Sequence, residues 1–431
     1  MPEGARIYNL FPLLAGSIDE WPNHLERIAG MGFNWIYLNP IHLPGFSGSL
    51  YAVKDYYSLN PLLRGGASGS PDELMADFCR AAKARGIQVM MDLVVNHTGK
   101  DSVLVQQHPE WFEREHDGQL HSPFCVDPLS GAKTVWADLA EINYREGPHR
   151  QQILDYFCQV IDHYVRIGFA GFRCDAAYKV AREMWQVLIG AGRRANPETL
   201  FIAENLGAMM EQVEQLRGAG FDYLFNSAKW WDFRQPWLLE QYEKFRSIAP
   251  SIAFPETHDT ARLAAELADQ GVPPDQFERR YRTAYLFSAL FSSGVMIPIG
   301  FEYGFRKRLH VVSTRPSDWE RPAFDLTGFI AEVNRMKASL PILNEEGPQR
   351  YHQFGDGRLV GLVRRPMRGQ GWVFSLVNAD PWNEVRGWVG NLDGDVQGGR
   401  EVTPGRASAE GLRVGQDYTL APGEIRVFAS S

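Results

Sequence analysis

The chain has 431 residues, 44% of them hydrophobic and 22% charged, with a formal net charge of −8. That is ample for a large core and argues against a polyanion such as nucleic acid as the main partner. Its first residues, MPEGARIYNLFPLLAG, lack a basic segment followed by a long apolar one, and no later run approaches the roughly 20 apolar residues of a membrane span. A cytoplasmic protein without a membrane partner is the expectation.

Short apolar runs ending in polar residues recur along the chain: ARIYNLFP (5–12), NWIYLNPI (34–41), IQVMMDLVVNHT (87–98), GFAGFRCDA (168–176), LFIAENLG (200–207), FDYLFNS (221–227), IAFPETHD (252–259) and VMIPIGFEYGF (295–305). Most are followed by a helix-like stretch. Runs buried on both faces with helices between them make a parallel sheet, and eight strands close a barrel. Ahead of the third run, SPDELMADFCRAAKARGI predicts a helix with Ser70 as N-cap, Pro71 as first residue, Glu73 as capping-box partner and Gly86 as terminator.

Between the third run and the helical HRQQILDYFCQVIDHYV lie about fifty residues rich in His, Pro, Asp and Gly, which predict a small inserted lobe at 97–143. After FDLTGFIAEVNRMKASL the segments RLVGLVRR, GWVFSLVNA and YTLAPGEIRVFA alternate and are β-branched, as in an antiparallel sandwich over 341–431. The expected class is therefore α/β. A (β/α)8 TIM barrel is made by 1–96 and 144–340, with a short inserted lobe after strand 3 and a C-terminal antiparallel β-sandwich domain. That last unit is expected to cap the barrel, and its Trp372, Trp382 and Trp388 are candidates for a separate glycan contact. The four cysteines, Cys79, Cys125, Cys158 and Cys174, have no metal-type spacing and are expected to be free thiols.

Active sites of such barrels sit where the strands end. The third run closes with Asp92, Asn96 and His97, the fourth with Arg173 and Asp175, the fifth with Glu204 and the seventh with His258 and Asp259. Three carboxylates thus converge on one rim. A carboxylate facing another across a sugar is the apparatus of glycoside cleavage, one attacking the anomeric carbon and the other protonating the leaving oxygen. Residues i and i+2 of a strand point to one side, so Arg173 is expected to hold Asp175 ionised with a lowered pKa. Glu204, framed by apolar residues, is expected to have a raised pKa and to stay protonated as the acid.

These residues resemble the ordered motifs of the α-amylase family of retaining glycoside hydrolases and transglycosidases, over nearly the whole chain. DLVVNHT, GFRCDA, IAEN and FPETHD are similar to its four regions, and GFNWIYLNPI, SLYAVKDYYSLNP, WADLAEINY and GVMIPIGFEYGF to further motifs in the correct order. The resemblance implies Asp175 as nucleophile, Glu204 as acid/base and Asp259 as the carboxylate that orients the sugar hydroxyls. It implies Arg173, His97 and His258 as hydrogen-bond partners of the reacting sugar, and Tyr51 stacked under it. Three departures fall outside the catalytic groups: Ala52 after Tyr51, Tyr178 and Lys179 three and four places after Asp175, and Thr257 before His258. They bear on the leaving-group subsites. In calcium-bearing members Asn96 and the backbone at the position of Lys179 help to hold the ion; here no cofactor and no obligatory calcium are expected.

The reading is an enzyme, a retaining α-glycosidase or transglycosidase, acting on α-glucosidic bonds of oligosaccharides through a glycosyl-enzyme on Asp175. Hydrolysis is placed first. An α-glucan transglycosylase or maltosyltransferase using a sugar or maltose 1-phosphate donor is the alternative, because HPEWF resembles the maltosyl-transferring branch of the family. Lys100, Lys179, Arg306, Lys307 and Arg308 are the cations that could meet a phosphate there. A sugar-binding homologue without activity is the second alternative. The sequence sets no linkage, chain length or oligomeric state.

Overall fold

The computed structural model describes residues 4–126, 131–406 and 411–430. Eight parallel strands close a barrel: β1 (Arg6–Asn9), β2 (Trp35–Leu38), β3 (Gln88–Leu93), β4 (Gly171–Cys174), β5 (Leu200–Ala203), β6 (Tyr223–Phe225), β7 (Ser251–Ala253) and β8 (Gly294–Pro298). Neighbours in sequence are neighbours in the sheet, and β1 pairs with both β2 and β8 to close it. Each strand overlaps one of the eight apolar runs.

The period of two explains why those runs are apolar throughout. Ile7, Met90, Ile202, Ile252 and Met296 fill the barrel interior, while their neighbours Tyr8, Met91, Ala203, Ala253 and Ile297 pack outward under the helices. A strand buried on both faces needs apolar side chains at odd and even positions alike. The predicted helix ahead of β3 spans Pro71–Lys83, with Ser70 Oγ accepting from Glu73 N at 3.3 Å and Glu73 Oε2 accepting from Ser70 N at 2.8 Å. Gly86 then takes φ +75°, a conformation costly for any residue with a side chain.

Between β3 and the helix Arg150–Ile167, His97–Gly99 pairs antiparallel with Leu139–Glu141, and Phe124–Val126 with Lys133–Val135. This inserted segment lies on the strand-exit side, where it can wall a cleft. Near the C-terminus, β9 (Gln349–Phe354), β10 (Leu359–Arg364), β11 (Val373–Asn378), β12 (Val385–Val389), β13 (Arg400–Glu401), β14 (Gln416–Leu420) and β15 (Ile425–Ala429) are antiparallel. They form a five-stranded sheet, in the order β9-β10-β11-β15-β13, and a pair β12-β14. Phe374, Leu376 and Phe428 of the first pack with Val385, Val389 and Leu420 of the second in a separate core.

That core also takes Trp372, which is 3% exposed and donates its indole N–H to Asp395 O at 3.0 Å. Of the three tryptophans named as candidate glycan contacts, Trp372 is therefore a packing residue, whereas Trp382 and Trp388 are exposed. The barrel and the C-terminal sheets are joined by buried charge: Arg364 of β10, 2% exposed, donates to Leu290 O at 2.8 Å. Lys337, on the helix Thr327–Ser339, donates to the carbonyls of Ala289, Ser292 and Leu343 at 2.9, 2.6 and 2.7 Å, capping the end of the helix Phe277–Phe291. Among the described residues no helix is long and apolar enough to cross a membrane, and all four cysteines are free thiols.

Candidate active site

The register of β3 against β4 places Arg173 directly beside Asp92. Asp92 is fully buried and accepts two hydrogen bonds from Arg173 Nη1, at 2.8 and 3.0 Å. It also accepts from the Tyr37 hydroxyl and, at 2.6 Å, from the Tyr51 hydroxyl. Asn39 Nδ2 donates to the Tyr51 oxygen at 2.9 Å, and His258 Nε2 lies 2.8 Å from it. A tyrosine hydroxyl carries one proton, and that of Tyr51 points at Asp92, so His258 Nε2 carries the proton between the two rings and is the donor. The same nitrogen lies 3.0 Å from Asp259 Oδ2. Residues from β2, β3, β4 and the exit of β7 are thereby tied into one polar floor, with the Tyr51 ring nearly parallel to the His258 imidazole.

Three carboxylates stand over this floor. Asp175 follows β4, its Oδ1 3.2 Å from Arg173 Nη1. Glu204 follows β5 and is 8% exposed; its Oε1 accepts from Leu206 N at 2.6 Å and its Oε2 from Ala176 N at 3.0 Å. To present that N–H, Ala176 adopts φ +44°, a strained conformation for a non-glycine residue and one often found beside functional groups. Asp259, after β7, is the most exposed of the three, with Oδ2 3.8 Å from Arg173 Nη2.

Their charges differ by environment. Burial pushes the Glu204 carboxyl up, against the pull of Arg173, as expected from sequence. At Asp259 the desolvating walls would also raise the pKa, but His258, Arg173 and Arg308 outweigh them and hold it at about 2. Asp175 departs from expectation: its pKa is raised well above the usual carboxylate value, not lowered. Burial is the main cause. Arg173 opposes it, yet that guanidinium is already engaged by Asp92, and Asp92, Glu204 and Asp259 add like charge.

Asp175, Glu204, Asp259, Arg173, Tyr51 and His97 line one cleft of about 660 Å³ at the strand exits. His258 sits behind Tyr51 and is 2% exposed. His97 Nε2, 4.0 Å from Asp175 Oδ2, makes no hydrogen bond among the described residues, and burial pushes its pKa down to about 4, so its ring is neutral. The inserted segment supplies the facing wall through Cys125, Thr134 and Trp136. Lys179 fastens that wall, donating to Phe124 O at 2.6 Å.

Of the cations named for a phosphate, none lines the cleft among the described residues. Arg308 donates to the Asp259 carbonyl, Lys307 pairs with Asp318, and Arg173 is the one Lys or Arg on the described lining. Lys179 turns its ammonium toward the inserted segment, and no group of three or more His, Cys, Asp or Glu among the described residues is placed to hold a metal. Sequence reasoning gave Tyr37 and Asn39 no role, although their i, i+2 spacing at the exit of β2 places them on one side. It also passed over Trp230, whose exposure depends on tertiary packing.

The family described as "Glycogen debranching enzyme, glucanotransferase domain" matches residues 3–117. A Burkholderia pseudomallei alpha-1,4-glucan:maltose-1-phosphate maltosyltransferase is 28% identical over 339 residues, covering 78% of this chain and 29% of the relative. The Myxococcus xanthus enzyme of that name is 25% identical, covering 83% of this chain and 55% of the relative. This chain thus spans less than two thirds of either. Among solved structures, an α-amylase from Lactobacillus plantarum superposes with a TM-score of 0.73 at 21% identity, covering 99% of both chains. An α-glucosyl transfer enzyme superposes with 0.77 at 12% identity, covering 100% of this chain and 99% of that one. At those identities the likeness is one of fold.

Proposed function

We propose that this chain is a member of the α-amylase family and cleaves α-glucosidic bonds of oligosaccharides with retention, by double displacement through a glycosyl-enzyme on Asp175. The observation that carries this reading is the meeting of Asp175, Glu204 and Asp259 with Arg173 on one wall-enclosed rim, one carboxylate held strongly ionised and the other two pushed up.

In the first half-reaction an Asp175 oxygen attacks the anomeric carbon, the glycosidic C–O bond breaks and Glu204 gives its proton to the departing oxygen. In the second, Glu204, now a carboxylate, takes a proton from water or a sugar hydroxyl, whose oxygen attacks the anomeric carbon and displaces Asp175. Two inversions give retention. Asp259, ionised throughout, accepts hydrogen bonds from sugar hydroxyls, and His97 Nε2 and the Tyr51 ring meet the reacting unit. The segments 97–143 and 341–431 serve as the cleft's wall and the barrel's cap.

The test is product analysis by NMR on maltotriose, isomaltose, trehalose and sucrose, with Asp175→Asn as control. Shortened sugars appearing first as the α-anomer, and none from the variant, are expected. First appearance of the β-anomer, or products from both proteins, would refute the assignment.

Transfer is the second reading, favoured by the names of the two curated relatives. Within it a sugar leaving group suits this cleft better than an anomeric phosphate, because Arg173 is its one described lining cation and is already engaged with Asp92 and Asp175. Phosphate released from maltose 1-phosphate faster than glucose from maltotriose would reverse that preference.

A further inference from the structure

Trp230 is an exposed indole on a turn built to be rigid. It ends the short helical turn Ala228–Trp230 that follows β6 and lines the cleft beside Glu204, Leu206, Gly207 and Asp259 while remaining 51% exposed. Fully buried Asn226 caps the turn: its Oδ1 accepts from Ala228 N at 3.1 Å, and its amide donates to Ser251 Oγ and Ser292 Oγ at 2.9 and 2.5 Å. Lys229, 5% exposed at its side chain, donates to Glu266 Oε2 at 2.6 Å and to Pro255 O at 3.1 Å. The indole stands at 87° to the buried Phe254 ring with centroids 5.9 Å apart.

Such bracing leaves Trp230 little freedom to collapse onto the protein, so half of a large apolar side chain is held toward the cleft with no packing role for its free part. A flat, fixed aromatic face suits the C–H face of a pyranose ring, with little ordering cost on binding. Its position selects the side. β6 lies between β5, which ends at Glu204, and β7, which ends at Asp259. Around the rim Trp230 therefore stands on the side of Glu204 away from Asp175.

We infer that Trp230 is the platform on which the leaving or incoming sugar stacks, and hence that the second substrate at this cleft is a glucan-type pyranose chain. This rests on the reading of Glu204 as the acid/base.

Two measurements test it. The first is the affinity for maltotetraose by calorimetry in the Asp175→Asn background, with and without Trp230→Ala. Roughly tenfold weaker binding is expected, with Trp230→Phe recovering most of it; equal affinities for the Trp and Ala proteins would overturn the proposal. The second uses α-maltosyl fluoride as donor and maltotetraose as acceptor. In Trp230→Ala the acceptor KM should rise by roughly tenfold and by more than the donor KM. A donor KM that rises as much or more would overturn the placement. Wild-type protein that releases no fluoride would count against the glycosyl-enzyme on Asp175, while the binding comparison would still decide the role of Trp230.

Discussion

Arg173 Nη1 lies closer to Asp92 than to Asp175, at 2.8 Å from Asp92 Oδ1 against 3.2 Å from Asp175 Oδ1. The guanidinium is therefore shared, and the buried Asp92 takes the larger part. Asp92 also adds like charge that raises the Asp175 pKa. The Asp92→Asn variant removes that charge and leaves Arg173 to Asp175, so the Asp175 pKa should fall. Because the nucleophile works ionised, activity is lost as pH drops through that pKa. The acid limb of the kcat/KM profile of Asp92→Asn should accordingly move to lower pH, with a lower plateau as the floor loosens; an unmoved or rising limb in steady-state assays across pH would contradict the sharing.

Asp175 also bears on stability. Its folded pKa is raised, so the folded state binds its proton more tightly than the unfolded chain does. That contribution is fully present below the ordinary carboxylate range and is lost as pH rises through the raised value. Asp175→Asn removes the buried charge. It should raise Tm by about 2 °C at pH 8, a gain that shrinks toward pH 4, while abolishing turnover. Calorimetric scans at the two pH values check this.

Glu204 is assigned to protonate a poor leaving group, a contribution of roughly 10²–10⁴ in rate. Fluoride needs no such help. Glu204→Gln should lose about that factor on maltooligosaccharides but far less in the first-turnover burst of fluoride from α-maltosyl fluoride, before the second half-reaction limits. Equal losses on both substrates would assign Glu204 a positioning role instead.

Cys125 is the thiol that reaches the cleft, whereas Cys79 and Cys174 are buried and Cys158 lies in a groove between helices. Iodoacetamide should therefore inhibit by narrowing the wall opposite Asp175, and Cys125→Ser should resist it. Mass spectrometry that finds inhibition without adduct at Cys125 would place the sensitive group elsewhere.

The barrel was legible because each strand is apolar on both faces and closes on a polar residue: IQVMMDLVVNHT shows both features in one run. The site residues were legible for the same reason, since parallel strands bring their ends together. The direction of the Asp175 pKa was not. The i, i+2 pairing of Arg173 with Asp175 is visible in a single strand, but the competing partner, Asp92, is fixed by the register of another strand 81 positions away. Aromatic roles were equally hidden. Trp372 and Trp382 sit ten positions apart, yet one is enclosed by the C-terminal core and the other lies under the Arg280 guanidinium at the surface.

Glu204 must hold and then lack a proton within each turnover. Both of its oxygens already accept a backbone N–H, from Leu206 and from Ala176, the residue after the nucleophile. When the negative charge arrives, its donors are in place and no side chain has to swing. The two amides favour the carboxylate while burial favours the acid, so both pulls are built into the backbone around Glu204 and the choice between water and sugar is left to the surfaces that bind the acceptor.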